Sequence, residues 1–265
     1  MRLRLLALAV SAVVAAPAWA DSSTPRLPAI QLFVDGSAVA LPDIENSFEI
    51  LEYDNVKSPA AGDTYFGWGL ANYRLTTPEY VVQFSGEFDP NVALPGAPEP
   101  QITWNVNVRN IGIERTFVVS FSQAIAATAG SAMTASMGYQ FTDGGDGTYT
   151  LAPANPDGTR VLATYLGTGT FVPGLDLGTA LPTVVDTGAS GTAGPFFEQV
   201  GIAGTPAGTW TDLGVQLGFR LSGGNDVFGA NGTSTIVAVP EPSTYALLGI
   251  GLGLLLTATR RARRR

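Results

Sequence analysis

The chain has 265 residues, with no cysteine, no histidine and a single lysine, Lys57. It can therefore form no disulfide, and it has no thiol nucleophile, no Ser-His-Asp triad and no histidine-ligated zinc. The net charge is −8, but residues 21–239 hold 21 acidic and 7 basic residues, so a body this acidic excludes nucleic acid as a partner.

Residues 1–20 are typical of a secretory signal peptide. A basic start and the apolar stretch 5–14 precede Ala18 and Ala20, the small residues expected before a cleavage site at Asp21. The apolar stretch is shorter than the roughly 20 residues that span a membrane. We therefore expect export through the Sec machinery and removal of the segment by signal peptidase.

Strand patterns dominate residues 21–238, the predicted body. Many short apolar-polar segments separated by glycine-rich turns predict an all-β fold, an antiparallel β-sandwich or jelly-roll-like body. The candidate strands are 30–34, 48–53, 65–73, 80–84, 102–109, 116–123, 137–141, 148–151, 161–166, 214–221 and 233–238.

The clearest alternation predicts that Trp104, Val106 and Val108 face the core. Residues 110–112 suit a turn from this strand to the next candidate, 116–123. The connection then predicts two strands that follow each other closely.

The acidic, glycine-rich segment 142–147 predicts a hairpin between strands 137–141 and 148–151. The pairs Asp35-Gly36 and Asn231-Gly232 and the residue Asp226 are assigned to turns by the same reasoning. Two other regions stand apart in composition: 123–135 is alanine-rich and allows a short helix, and 168–194 is a glycine- and threonine-rich loop.

Loop aspartates offer oxygen ligands for Ca²⁺. Asp143, Asp146 and Asp157 are the candidates, but their spacing does not match an EF-hand loop, so a turn is the favoured interpretation. Glu49 and Glu52 would face opposite sides of a strand, so a glycosidase would need carboxylates from separate strands. No cofactor or metal is expected.

An aromatic cluster early in the body allows a sugar-stacking patch. Tyr65, Trp68 and Tyr73 are its candidate members. Aromatic side chains more often fill a core, which is the competing interpretation.

Residues 245–259 predict a single transmembrane helix. They belong to an uncharged run, 242–259, which as a helix would cover about 27 Å, close to the hydrocarbon thickness of a bilayer. A basic tail, 260–265, follows and is expected to stay cytoplasmic by the positive-inside rule. The arginines concerned are Arg260, Arg261, Arg263, Arg264 and Arg265.

The segment 239–244, Val-Pro-Glu-Pro-Ser-Thr, stands directly before this helix. Followed by an apolar helix and an arginine-rich tail, it resembles the PEP-CTERM sorting signal of Gram-negative bacteria, and the resemblance covers residues 239–265. It implies recognition of Pro240, Glu241 and Pro242 by exosortase, an integral-membrane enzyme that processes such proteins. No body family is recognised.

The resemblance further implies a protein of the cell envelope or the extracellular matrix, associated with exopolysaccharide and biofilm. We expect a non-enzymatic protein that is held at the inner membrane facing the periplasm and is processed there. Two alternatives stay open from the sequence: a carbohydrate- or Ca²⁺-binding surface module, and an enzyme that acts on polysaccharide.

Overall fold

The computed structural model describes residues 26–54, 64–89, 100–129, 131–145, 149–155, 160–167, 171–177, 184–186, 192–204 and 209–238. These residues form an all-β fold, and their only helical element is a short 3-10 helix, Ile44–Ser47. The all-β class predicted for the body is therefore confirmed. The described part of the chain contains no helix that is long and apolar enough to span a membrane.

Strands make up most of the described part of the body. In chain order they are β1 (Ala29–Val34), β2 (Ser37–Val39), β3 (Phe48–Asp54), β4 (Thr64–Thr76), β5 (Tyr80–Asp89), β6 (Gln101–Asn110), β7 (Arg115–Ala129), β8 (Ser131–Thr142), β9 (Tyr149–Pro153), β10 (Leu162–Gly167), β11 (Phe171–Leu177), β12 (Val184–Asp186), β13 (Thr192–Gly204), β14 (Thr209–Leu221) and β15 (Asp226–Ala238).

The described strands form two antiparallel sheets. The first sheet has the order β11-β10-β14-β7-β1-β2, and β9 pairs with both β14 and β12. The second sheet has the order β13-β8-β15-β6-β5-β4-β3. The last strand of the body, β15, is therefore an interior strand, paired with β6 on one side and β8 on the other.

The core lies between the two sheets. Aromatic rings meet across it: the centroids of Phe84 and Phe121 lie 6.0 Å apart, and those of Phe219 and Phe228 lie 4.3 Å apart. Trp104 is 1% exposed, as its alternation predicts. Each such side chain contributes about 1.5–3 kcal/mol by leaving water, so the facing aromatic residues hold the sheets together.

The hairpin predicted around residues 142–147 is wrong, because β8 and β9 belong to different sheets. The turn predicted at 110–112 does lie between β6 and β7, which follow each other closely as expected, but these two strands also belong to different sheets. The β6–β7 connection is therefore an arch, a connection that passes from one sheet to the other. Glycine-rich turn chemistry suits an arch as well as a hairpin, and packing decides which sheet the next strand joins.

Two regions predicted as non-strand are strands. The alanine-rich segment 123–135 belongs to β7 and β8, where Gln123, Ile125 and Met133 are buried. The loop predicted at 168–194 contains β11, β12 and the start of β13. Alanine favours helix only weakly, and the partner strands on both sides override that preference.

The turn assignments have mixed outcomes. Asp35 and Gly36 form the predicted turn, with positive φ at both residues, between β1 and β2. Asn231 and Gly232, however, lie within β15, and Asp226 is its wholly buried first residue. Gly232 has a packing role that a turn signal does not reveal, because a Cβ there would lie 2.5 Å from the Trp104 ring.

Candidate functional site

The outward face of the second sheet carries an open groove with a volume of about 540 Å³. We call it the outer groove and define it by two rows of residues that cross the strands in register. The first row consists of Glu49, Gly69, Glu87, Thr103, Thr233 and Ser136. The second row consists of Ser85, Asn105, Asn231, Gly138 and Phe197.

Buried and outward-facing side chains alternate along β5 and β6, and this alternation produces the outward face. Phe84 and Phe88 point into the core, so Ser85 and Glu87 between them point outward. Trp104 is buried and its neighbour Asn105 is exposed for the same reason. The polar character of the groove is thus the counterpart of the aromatic core beneath it.

In the first row, Gly69 stands between Glu49 and Glu87 and leaves a gap between their side chains. A Cβ at Gly69 would lie 3.2 Å from Cγ and Oε1 of Glu49 and 3.2 Å from Leu51 Cδ2. The Glu49 carboxylate therefore lies across the bare glycine. Glu49 and Glu87 are both exposed, so both carboxylates face the groove and solvent.

Amides and hydroxyls continue the two rows across the sheet. Asn105 and Asn231 are exposed and stand directly opposite each other on β6 and β15. In the other row the hydroxyls of Ser136 and Thr233 share a hydrogen bond of 2.9 Å. Each amide offers donors and an acceptor, and each hydroxyl offers both, so this surface can hydrogen-bond to groups that are themselves donors and acceptors.

An exposed aromatic ring closes the second row. Phe197 on β13 is 70% exposed and stands opposite Gly138 on β8, which has no side chain to cover the ring. Aromatic rings in this situation offer an apolar face beside polar groups. The combination of an amide row and a bare ring allows one ligand to be hydrogen-bonded and stacked at once.

The charge of the outer groove is negative. Glu49 and Glu87 are its charged residues, and no lysine or arginine occurs among the described residues that line it. A polyanion would meet two carboxylates and no cation there. The groove therefore favours uncharged or cationic groups.

The first sheet has a smaller groove on its own outward face, with a volume of about 350 Å³. Gln31, Ser120 and Gln216 form one of its rows. The Ser120 hydroxyl lies 3.4 Å from Gln216 Oε1, and Gln216 donates to Asn155 Oδ1 at 3.3 Å. Ser120 and Gln216 therefore already have polar partners within the protein, and this face carries no exposed ring comparable to Phe197 among its described lining residues.

Two of the three residues of the predicted aromatic patch, Trp68 and Tyr73, do not lie on the surface. Trp68 and Tyr73 are each 8% exposed and belong to the core. Residues five apart on a regular strand face opposite sides, but a bulge after Leu70, with Asn72 at a φ of 48°, turns both Trp68 and Tyr73 inward. The Tyr73 hydroxyl donates to Pro42 O at 2.9 Å, and Tyr65 lies in β4 with its side chain outside the described part.

Of the three predicted Ca²⁺ ligands, the structure describes only Asp143. Asp143 is buried, and its Oδ1 accepts a hydrogen bond from Gly145 N at 2.8 Å, a local turn interaction. Asp146 and Asp157 lie outside the described residues. Within the part of the chain that the structure describes, no three acidic, histidine or cysteine side chains form a group that could hold a metal ion.

The residues predicted for targeting also lie outside the described ranges. This holds for Ala18, Ala20 and Asp21, for the sorting residues, and for the arginine tail. The last described residue before the sorting segment is Ala238, where β15 ends. The second sheet therefore continues to the residue before the segment 239–244.

The residues of the outer groove were missed by the sequence analysis. Asn231 was assigned to a turn, and Phe197 falls in a segment without clear alternation. The outward positions of the β6 pattern, which include Asn105, Asn107 and Arg109, were the available signal. Only the register across strands shows that Asn105, Asn231 and Phe197 share one row.

Comparison with known proteins identifies the end of the chain. No curated protein matches the chain. Residues 238–265, however, match the family model of the PEP-CTERM protein-sorting motif. The chain therefore carries a PEP-CTERM sorting motif behind a folded β-sandwich, which implies an exported protein that is handled at the membrane with exosortase as its processing partner.

Proposed function

We propose that the protein is a non-enzymatic component of the cell envelope or extracellular matrix that associates with exopolysaccharide in a biofilm. The observation that carries the proposal is the match of residues 238–265 to the sorting motif, directly after the last strand of the sandwich. A processing enzyme at the membrane would then have the folded body on one side of the motif and the apolar segment on the other.

In this proposal the body reaches its place in three steps. Signal peptidase cuts after Ala20 during Sec export, and the helix 245–259 then holds the body on the periplasmic side of the inner membrane. The arginine tail stays cytoplasmic because translocating its charges is costly. Exosortase processing then moves the body to the cell surface or the matrix.

Pro240 and Pro242 give the sorting segment its shape. Each proline fixes φ and lacks a backbone donor, so the segment cannot extend β15 or enter a helix interior. Glu241 would then supply a charge between the two prolines, close to the membrane. These three residues form the recognition element of the proposal.

The proposal is tested by replacing Pro240, Glu241 and Pro242 with alanine in cells that contain exosortase. Full-length protein should accumulate in the membrane fraction, because the processing enzyme no longer recognises it. Immunoblots of membrane and extracellular fractions measure this. Unchanged release would contradict the sorting role.

The chain offers a matched control for that experiment. Pro98-Glu99-Pro100 spells the same tripeptide inside the body, and Pro100 is buried with its carbonyl accepting a hydrogen bond from Ile236 N at 2.9 Å. Glu99→Ala should leave processing unchanged, because no apolar segment follows it. A processing defect in this variant would show that the tripeptide alone, without its membrane segment, is read.

A polysaccharide-acting enzyme is the second candidate, and the shared row of Glu49 and Glu87 favours it. Glycosidases use two carboxylates on either side of the scissile bond, about 5–10 Å apart. The released protein, incubated with matrix polysaccharide, would then generate reducing ends, and Glu87→Gln would abolish them. An equal background with and without the protein would leave the non-enzymatic proposal in place.

A further inference from the structure

We propose that the outer groove binds a linear, uncharged polysaccharide chain that lies across the strands of the second sheet, with Asn105 and Asn231 hydrogen-bonding its hydroxyls and Phe197 stacking on a sugar ring. This inference rests on the proposed matrix role and names the site and the ligand class for it. The ligand class follows from the chemistry of the groove, one property at a time.

The direction of the chain follows from the register. Residues of one row stand on neighbouring strands, about 4.8 Å apart, which is comparable to the length of one sugar unit in an extended polysaccharide. Ser85, Asn105 and Asn231 occupy successive strands in this way. A chain that crosses the strands thus meets a new polar side chain at each sugar.

The hydroxyl-rich nature of the ligand follows from the donor and acceptor inventory. The amides of Asn105 and Asn231 each carry two donor hydrogens and an acceptor oxygen, and both side chains are exposed. A peptide strand would instead seek backbone pairing at a sheet edge, whereas these amides lie on the face of interior strands. Sugar hydroxyls, which donate and accept, match both amides.

The stacking position follows from Phe197 and its neighbour. The ring is 70% exposed at the β13 end of the row, and Gly138 leaves the adjoining surface bare. The apolar face of one pyranose ring can lie against Phe197, while other sugars of the same chain reach Asn231 and Asn105, which stand two and three strands away. Hydrogen bonding and stacking then act on different sugars of one chain.

The absence of charge on the ligand follows from Glu49 and Glu87. Both carboxylates face the groove, and the described lining offers no cation to offset a uronate or a phosphate. Carboxylates also accept hydrogen bonds from hydroxyl groups, so an uncharged sugar gains where an anionic one is repelled. The charge of the groove therefore selects against anionic polymers.

Affinity electrophoresis of the full chain in neutral detergent tests the proposal. Native gels would contain hydroxyethyl cellulose, mannan or dextran as uncharged probes, alginate as the anionic probe and chitosan as the cationic one. We expect at least one uncharged polymer, and not alginate, to retard the protein. Phe197→Ala should weaken that retardation about tenfold, and the double variant Asn105→Ala/Asn231→Ala should remove it.

The control variant is Gln31→Ala/Gln216→Ala on the outward face of the first sheet, which should be retarded like the unchanged protein. Far-UV circular dichroism of every variant confirms that the sandwich is retained. Retardation by alginate or chitosan alone, retardation unaffected by the groove variants, or no retardation by any uncharged polymer would each overturn the proposal. Release of the same variants by exosortase is scored separately, so a failed groove and a failed sorting role give different results.

Discussion

At the residue scale, two glycines decide how the aromatic core meets the second sheet. Trp104 stands in register between Gly86 on β5 and Gly232 on β15. A Cβ at Gly232 would lie 2.2 Å from Ser136 O and 2.5 Å from the Trp104 ring, so only glycine fits beneath the indole. The largest side chain of the core is therefore accommodated by removing its neighbours' side chains.

Gly232→Ala should lower the free energy of unfolding by about 1–3 kcal/mol, the usual cost of overpacking a core. Urea unfolding followed by tryptophan fluorescence measures the change. Gly229→Ala in the same strand is the control, because a Cβ there meets only flexible side-chain ends, Asn107 Nδ2 at 3.3 Å and Gln140 Cγ at 3.7 Å. Equal losses in the two variants would contradict this account of Gly232.

Two buried tyrosines are expected to make the free energy of unfolding depend on pH in the alkaline range. Burial raises the pKa of Tyr73, and the nearby Asp43 carboxylate raises it further. For Tyr80, burial raises the pKa most; Arg115 lowers it, while Glu79 and Asp35 raise it. In the native state both phenols therefore hold their protons above the ordinary tyrosine pKa of about 10.

The free energy of unfolding should consequently fall as the pH rises past about 10, because the unfolded chain loses phenol protons that the native state keeps. Below that pH the contribution is fully present. Tyr80→Phe should flatten the fall, since one of the two groups is then gone. Urea titrations between neutral and strongly alkaline pH compare the slopes, and identical slopes would refute the assignment to Tyr80.

At the element scale, arches rather than hairpins join the sheets at one end of the sandwich. The Asn110 amide, 0% exposed, lies at the end of β6 and donates to the carbonyls of Ile113, Leu221 and Ser222 at 2.7–3.0 Å. It thereby links the β6–β7 connection to the β14–β15 connection. The Asn110 side chain thus donates hydrogen bonds to backbone carbonyls at both arches.

Asn110→Ala should lower the free energy of unfolding by at least about 2 kcal/mol, because buried carbonyls lose their donor. Asn105→Ala on the same strand removes an exposed amide and should change stability by no more than about 0.5 kcal/mol. Thermal unfolding of the two variants side by side measures the contrast. A stable Asn110→Ala variant would mean that the arches are held by their backbone bonds alone.

The same arches show which features of the fold can be predicted from the sequence and which cannot. Alternation located most strands and the core side of β6, because burial on one face leaves a period of two in the sequence. The pairing of the strands could not be predicted, because a sequence such as Asp143-Gly144-Gly145 is equally compatible with a hairpin and with an arch. The outer groove was missed for the same reason: its rows exist only once Asn105, Asn231 and Phe197 are placed on neighbouring strands.

At the scale of the whole molecule, the last strand of the body completes the middle of a sheet. β15 contributes Phe228 and Ile236 to the core and lies between β6 and β8. Without it the second sheet falls into two parts with unpaired edges. Folding of the body therefore depends on the segment that stands directly before the sorting motif.

A chain that ends after residue 225 should not fold, whereas a chain that ends after residue 238 should unfold with the same free energy as the full protein. The first lacks β15, and the second lacks only the sorting region. Far-UV circular dichroism and limited proteolysis distinguish the two. A protease-resistant shorter chain would show that the sheets hold together without their central strand.

The interior position of β15 also has a mechanical consequence. If the body binds a matrix polymer while its C-terminal segment is held at the membrane, as proposed above, any pull between the two acts along this strand. Its registers join it to β6 through ten residue pairs and to β8 through twelve, with hydrogen bonds perpendicular to the pull. Such bonds are loaded in shear and share the force, whereas an edge strand could be peeled off pair by pair. The body should thus resist extension for as long as its C-terminal tether is uncut.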